Sequence, residues 1–200
     1  MGARHAGAMA KKRKVFLHVG LVGDSSVEKA LFTYRHALAE LGVTVAPENA
    51  GEMFLAAIEM TRTHKAWGYK RREVEGTWAG ICRRILKAKG TNDFVLSQPL
   101  LAGAAPEQSA LLVDQLPGLA VHVVLVAPAG GDIAEPLERW GRAVRKPERL
   151  HVLEVRADQG SEHVWRELGR TMGFGTASLS LAARPERPAK KRLGRRKTAA

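Results

Sequence analysis

The sequence predicts a doubly wound α/β protein with a mostly parallel sheet of about five strands. Two observations lead to this prediction. Short apolar runs alternate along the chain with stretches of helical period, and one run, VHVVLV, is apolar at nearly every position. Strands separated by helices pair in parallel through right-handed crossovers. An apolar run without alternation is typical of a central strand that is buried on both faces.

Five apolar runs are the predicted strands, and the helices lie between them. The strands are 15–20 (VFLHVG), 43–45 (VTV), 93–97 (DFVLS), 121–127 (VHVVLVA) and 150–155 (LHVLEV). The predicted helices cover 25–41, roughly 51–65 and 74–88, 106–116, a weaker stretch around 133–144, and 161–172. Ser25 and Glu28 have capping-box spacing, and Gly42 marks the end of the first helix. Helical spacing puts Trp78, Trp140 and Trp165 in the core.

Length and composition indicate one ordinary domain. The chain has 200 residues, and 45% of them are hydrophobic, which is enough for a packed core. No apolar run approaches the ~20 residues of a membrane helix. The basic opening, MGARHAGAMAKKRK, lacks the pattern of a signal peptide, and the one cysteine, Cys82, excludes an intrachain disulfide framework and a cysteine metal site. We therefore expect a cytoplasmic protein without a bound metal.

The net charge of +12 comes from the two ends of the chain. Residues 1–14 hold five basic and no acidic side chains, residues 184–200 hold eight and one, and the body from 15 to 183 holds 19 of each. Such basic ends are expected to be disordered. They are candidate binding segments for nucleic acid or anionic surfaces, although solubilising tails without a partner are an equal alternative. The residues are Lys11, Lys12, Arg13, Lys14, Lys190, Lys191, Arg192, Arg195, Arg196 and Lys197.

The turn GLVGDSS, between the first strand and the first helix, is the candidate binding site. Ligands of doubly wound sheets bind beyond the carboxyl ends of the strands. Gly20 and Gly23 allow backbone N–H groups to approach an anion, and Ser25 and Ser26 add hydroxyl donors at a helix N-terminus. The P-loop pattern is absent, and Asp24 puts a negative charge where a phosphate would sit. An ordinary strand-to-helix turn is the alternative interpretation.

Several separate segments resemble a known family. VFLHVGL followed by GDSSVEKALFTYRHALAELGV resembles the start of the bacterial, mostly actinobacterial, sulfotransferase-like proteins, which open with a strand, a phosphosulfate loop and a helix. FVLSQPLLAGAAPEQSALLVDQL, VHVVLVA and LERWGRAVRKPERLHVLEVRADQGSEHVWRELGRTMGF resemble later segments of the same family, in the same order. The resemblance covers roughly residues 15–174. It implies a P-loop-related fold that binds 3′-phosphoadenosine 5′-phosphosulfate.

This sequence differs from the family at the positions that would bind the cofactor and catalyse transfer. The loop lysine has no counterpart, and the best register sets Gly23 on the loop glycine with Asp24 and Ser25 on two threonines. The family's cofactor-binding Arg and Ser after the VHVV strand are replaced by residues 127–132 (APAGGD), and its His-Glu pair by Gln98-Pro99. Each lost donor at a transfer site costs ~10²- to 10³-fold in rate. The resemblance therefore implies a divergent member that is weakly active or inactive, a pseudoenzyme.

Other residues are candidates for catalysis or binding, and each also has a structural interpretation. His18, His122 and His151 lie in predicted strands and are interpreted as hydrogen-bonded structural histidines. His64 is a candidate general base without a recognised partner. The neighbouring cluster could hold an anionic acceptor or a nucleic-acid strand, although acids follow it directly and a solvated helix boundary is favoured. The cluster comprises Lys65, Trp67, Tyr69, Lys70, Arg71 and Arg72.

The sequence leaves two hypotheses from different classes. The first is a divergent sulfotransferase-like domain that binds the phosphosulfate nucleotide or a related anion and, if active, transfers a sulfuryl group to a hydroxyl or amine. The alternative is a noncatalytic binding protein whose basic tails associate with nucleic acid or anionic lipid.

Overall fold

The computed structural model describes residues 12–21 and 25–181, and within these residues it holds five strands and eight α-helices. The strands are β1 (Lys14–Gly20), β2 (Val43–Val45), β3 (Asp93–Ser97), β4 (Ala120–Pro128) and β5 (Leu150–Val155). The helices are α1 (Ser26–Thr33), α2 (Arg35–Glu40), α3 (Ala50–Met60), α4 (Arg71–Val74), α5 (Thr77–Lys87), α6 (Pro106–Asp114), α7 (Ala134–Val144) and α8 (Ser161–Met172). Short 3-10 helices follow β3 and precede β5.

The five strands form one sheet in the order β2-β3-β1-β4-β5, and every pair is parallel. Val15 pairs with Phe94 on one side of β1 and with Val121 on the other. The doubly wound α/β prediction is confirmed. Because the chain first builds the sheet on one side of β1 and then on the other, the strand order reverses at this central strand. Such a reversal opens a crevice at the carboxyl edge of a sheet.

Helices cover both faces of the sheet. The α3, α5, α6 and α7 helices pack on one face, where Trp78 and Trp140 are fully buried. The α1, α2 and α8 helices pack on the other face around Trp165. Cys82 lies in the first of these layers, and burial raises the pKa of its thiol to about 12. The core positions predicted for the three tryptophans are confirmed.

The helix bounds differ from the periodic pattern at three places. The predicted first helix is two helices, α1 and α2, separated at Tyr34. The Tyr34 hydroxyl donates to the carbonyl oxygen of Ser180, and the Arg35 guanidinium donates to the carbonyl oxygens of Val45, Pro47 and Glu48. These contacts with distant segments are not encoded in a helical period, which is why the pattern did not indicate the break.

The other two differences lie in the connection between β2 and β3. The helix expected to reach residue 65 ends at Met60, since Arg62 adopts a left-handed conformation with φ of 58°. The helix expected over 74–88 is α5, which begins at Thr77; Val74 ends a separate short helix, α4, and Gly76, where φ is 85°, lies at the division between the two. A glycine takes this conformation without steric cost, so the division follows from the residue type. Gly42, with φ of 84°, follows the end of α2 as predicted.

The ends of the chain, residues 1–11 and 182–200, lie outside the described residues. The sheet begins at Lys14, one residue before the boundary that the charge pattern suggests. No helix among the described residues combines the length and apolar character needed to cross a membrane.

Candidate functional site at the carboxyl edge of the sheet

The turn after β1 lies at the carboxyl edge of the sheet, as predicted. Gly20 pairs with Val126 of β4, and the Leu21 N–H donates to the Val126 carbonyl oxygen at 2.8 Å. The chain enters α1 at Ser26. Gly20, Ser25 and Ser26 are therefore held at the point where the strand order reverses. Gly23 and Asp24, the other two predicted residues of the site, lie outside the described residues.

The capping box predicted at the start of α1 is wrong. Ser25 occupies the N-cap position with φ of −83° and ψ of 0°, and its side chain makes no capping hydrogen bond. Oε1 of Glu28 is buried without a hydrogen-bond partner in the described residues, and burial raises the pKa of this carboxyl group. Ser25 is outside the extended region that a capping serine adopts, so its hydroxyl does not occupy the N–H groups of the first turn.

A cavity of about 150 Å³ lies next to this turn. Residues of β1, β4, β5, α1 and α8 line it: His18, Val27, Val126, Val155, Gln159, Gly160, Ser161 and Val164. The N-cap of α8, Gly160, carries no side-chain cap, and α1 contributes Val27 from its own first turn. Residues from the first turns of two helices therefore line one cavity, and a helix dipole favours negative charge near its N-terminus. Among the described residues that line it, none is a lysine, arginine, aspartate or glutamate.

His18 is the buried polar residue of this cavity. Its side chain is 3% exposed, and Nδ1 lies 2.8 Å from the Ser97 hydroxyl oxygen on β3. Burial lowers the pKa of His18 to about 4, so the ring is neutral at pH 7. Among the described residues no hydrogen bond reaches Nε2. The predicted structural role of this histidine is confirmed, although the ring also lines the candidate site.

Gln98 and Asp132, at positions where the resemblance led us to expect other groups, make hydrogen bonds within the fold. The Gln98 N–H donates to the His18 carbonyl oxygen, and its Oε1 accepts from the Leu100 N–H, which caps the short 3-10 helix after β3. Asp132 Oδ1 accepts the N–H of Ala134 at the start of α7. Neither side chain is a cation, and both are used in hydrogen bonds within the fold.

His64 lies in a second cleft, away from the β1–α1 turn. This cleft, of about 380 Å³, is lined by Glu59, Arg62, His64, Arg71, Val74 and Glu75. It shares no lining residue with the first cavity. The backbone carbonyl of His64 accepts from Trp67 and Tyr69, and no hydrogen bond to its imidazole occurs among the described residues. The structure therefore does not bring this candidate base together with the predicted anion site.

The second cleft nevertheless lies toward the carboxyl edge. Arg13, which precedes β1, donates to the Ala88 carbonyl oxygen, so α5 ends near the amino edge. The first turn of α5 lies one helix length, ~16 Å, away. There the two carboxylate oxygens of Glu59 accept the N–H groups of Gly76 and Trp78 at 2.6 and 2.8 Å. The end of α3 and the segment that follows it are therefore on the side of the sheet where ligands bind.

The other two histidines predicted in strands form a pair at the amino half of the sheet. His122 Nδ1 and His151 Nε2 are 3.0 Å apart, and the ring planes are nearly parallel, with an angle of 12° between them. Burial lowers the pKa of both, for His122 to about 4, and the charge of Lys14 adds to the effect. Their predicted structural role is confirmed. No cluster of three or more histidine, cysteine, aspartate or glutamate side chains in the described residues is placed to hold a metal ion.

Two of the predicted tail residues belong to the folded body. The Arg13 guanidinium stacks 5.2 Å from the centre of the Phe94 ring, and the Lys14 N–H donates to Asp93 Oδ1 at 2.7 Å. Lys12 is exposed. Lys11 and the six basic residues between Lys190 and Lys197 lie outside the described residues, so their predicted binding stays a prediction.

Comparisons with known proteins give no relative: no family model, no curated protein and no solved structure matches this chain. The resemblance to sulfotransferase-like proteins therefore stays a prediction, and the function rests on the geometry.

Sequence reasoning did not include the α8 N-terminus or His18 in the binding site. The signal was present, because Gly160 and Ser161 follow a predicted strand and begin a predicted helix. The turn after β1 and the turn after β5 lie close together because only β4 separates the two strands in the sheet. That adjacency depends on the strand order, which the sequence did not supply.

Proposed function

We propose that this protein binds a phosphate-bearing nucleotide at the carboxyl edge of its sheet, at the turn from Gly20 to Ser26. The candidate ligand is 3′-phosphoadenosine 5′-phosphosulfate or a related anion. The observation that carries this proposal is the cavity at the strand-order reversal, which lies beneath the first turns of α1 and α8. On composition we also propose a cytoplasmic location.

The charge of the site supports binding of an anion more than transfer of a sulfuryl group. Backbone N–H groups at a helix N-terminus attract an anion without any basic side chain. Sulfuryl transfer also needs groups that stabilise charge on the leaving phosphate. The described lining residues offer His18, which is neutral at pH 7, and no lysine or arginine. We therefore propose a nucleotide-binding protein whose transferase activity is weak or absent.

Ligand protection of the fold is the direct test. With adenosine 3′,5′-bisphosphate at 100 times its Kd, the free energy of unfolding is expected to rise by ~2.7 kcal/mol. Asp24→Lys is expected to strengthen the protection, since it replaces repulsion of the phosphate by attraction. Thermal unfolding at increasing ligand concentration measures both effects.

The matched control is Glu107→Lys, which makes the same charge change in the first turn of α6. It leaves the protection unchanged if the ligand sits at the β1–α1 turn. Adenosine without phosphates is expected to protect much less. Absence of any shift with either protein at millimolar bisphosphate contradicts the proposal.

The alternative function keeps one supporting observation, the segregation of charge. The two ends of the chain together contain thirteen basic side chains and one acidic side chain, whereas the body between them is formally neutral. Noncatalytic binding of nucleic acid or anionic lipid through these ends would be electrostatic and nonspecific.

Replacing six of the eight C-terminal basic residues by glutamine in the full chain is expected to weaken this electrostatic binding. These residues are Lys190, Lys191, Arg192, Arg195, Arg196 and Lys197. Each lost phosphate contact lowers the slope of log K against log salt by ~0.9 for duplex DNA. Titrations of a duplex oligonucleotide at several salt concentrations measure that slope. An unchanged slope would exclude the C-terminal tail as the binding segment.

A further inference from the structure

An exposed aromatic and basic surface lies between α3 and α5. It consists of Arg62, Lys65, Trp67, Tyr69, Lys70 and Arg72, and we call it the aromatic-basic surface. Trp67 is 51% exposed and Tyr69 38%, whereas the other three tryptophans of the chain are at most 1% exposed. An exposed tryptophan loses the favourable burial that the other three obtain, so the fold does not explain its presence here.

The two exposed rings are held in place. Both pack edge-on against Phe54 of α3, with ring centres 5.1 Å away for Trp67 and 6.3 Å for Tyr69. The segment that carries them is a tight turn, in which the Trp67 and Tyr69 N–H groups both donate to the His64 carbonyl oxygen. The rings are therefore ordered before any ligand arrives, which reduces the entropic cost of stacking on them.

The acids beside this surface are already used within the fold. Both oxygens of Glu59 accept N–H groups from the start of α5. Glu73 Oε2 accepts the Lys70 N–H, and Glu75 pairs with Arg71. No ion pair involving Arg62, Lys65, Lys70 or Arg72 occurs among the described residues. The carboxylates keep their negative charge, but their oxygens are held by backbone N–H groups and by Arg71, so the four exposed cations have no acidic partner among the described residues.

Arg62 is the second unusual residue of the surface. Its φ of 58° is the left-handed conformation in which glycine is preferred, and Arg145 at the end of α7 shares it with φ of 60°. The Arg145 guanidinium pairs with Asp114. The Arg62 guanidinium has no such partner in the described residues, and it lines the cleft beside His64. The fold therefore uses the side chain of Arg145 but not that of Arg62.

We propose that the aromatic-basic surface binds single-stranded nucleic acid with little base preference. Bases stack on Trp67 and Tyr69, because every base offers a flat face to an aromatic ring. Phosphates contact the cations on either side of the rings, Arg62, Lys65, Lys70 and Arg72. A single strand fits this arrangement because its bases are free to stack, whereas those of a duplex are already stacked on each other. The proposal goes beyond the nucleotide site, since it uses no residue of the β1–α1 turn.

Tryptophan fluorescence tests the proposal in the full chain. Because the other tryptophans are buried, a single-stranded oligothymidine of about 20 nucleotides is expected to quench the emission of Trp67 alone. The titration is made at about 0.3 M salt, where contacts by the tails are weakened. Trp67→Ala and Tyr69→Ala are each expected to lower the affinity, measured by anisotropy of the labelled strand, by roughly 5- to 100-fold. Leu111→Ala, at a residue that is 46% exposed on α6, is the matched control and leaves the affinity unchanged.

Arg62 and Arg145, the two arginines with a left-handed backbone conformation, provide a second matched pair of variants. Arg62→Gly is expected to weaken binding several-fold while the melting temperature is unchanged or higher, because glycine removes the backbone strain. Arg145→Gly leaves binding unchanged. Three outcomes overturn the proposal: equal affinity for a duplex of the same length, binding that is insensitive to both Trp67→Ala and Tyr69→Ala, or binding only to phosphatidylserine vesicles with a blue shift of Trp67.

Discussion

Replacing Trp165 by alanine is expected to lower the free energy of unfolding by ~3–5 kcal/mol, the range for removal of a buried large aromatic side chain. Trp165 is fully buried on the face of the sheet covered by α1, α2 and α8. Its ring stacks near Tyr34 and Phe174, and its Nε1–H donates to the Leu179 carbonyl oxygen at 2.5 Å. The substitution therefore removes packing between α8 and the sheet together with the bond that holds the segment after α8.

Trp67→Ala is the matched substitution for Trp165→Ala, with the same atoms removed from an exposed site. Its effect on the free energy of unfolding is expected to stay within about 1 kcal/mol, since half of the side chain is already in water. Denaturant unfolding of both variants measures the difference. Similar losses at the two positions would contradict the assignment of Trp67 to binding, because they would give it a structural role.

The strands were predictable because their signal is local. VTV, DFVLS and LHVLEV form β2, β3 and β5 with the predicted bounds, and the two longer strands extend the prediction by one residue at one or both ends. Buried parallel strands need apolar residues on both faces, so the composition of each run is sufficient. The break at Tyr34 was not predictable, because the apolar spacing continues through it, and the contacts made there by Tyr34 and Arg35 join segments distant in the sequence.

The candidate site was predictable in position but not in composition. A turn after the first strand must lie at the carboxyl edge of a parallel sheet, and Gly20 does. The capping box failed because Ser25 has backbone angles outside the extended region, which spacing in the sequence does not reveal. The sequence pattern indicates a solvated boundary of mixed charge for the cations after His64. That interpretation could not include the hydrogen bonds of Glu59 and Glu73, which occupy the acids within the fold.

His18 is expected to make the stability of the protein depend on pH between 6.5 and 4. Burial lowers its pKa from 6.5 to about 4, so the unfolded chain binds a proton in this interval more readily than the folded protein does. The contribution is fully present above pH 6.5 and is lost as pH falls. The loss reaches ~3 kcal/mol near pH 4, at 1.36 kcal/mol for each pH unit.

The difference between the wild type and His18→Gln isolates this effect. His122 and His151 also have lowered pKa values, so they add a slope of the same sign in both proteins. Glutamine keeps a polar side chain beside the Ser97 hydroxyl but does not titrate. Urea unfolding at several pH values between 4 and 7.5 is expected to show a steeper loss of stability for the wild type. Parallel curves for the two proteins would mean that His18 does not titrate across this interval. A neutral His18 at pH 7 also leaves helix N-termini, rather than a basic side chain, as the source of anion affinity in the described part of the cavity.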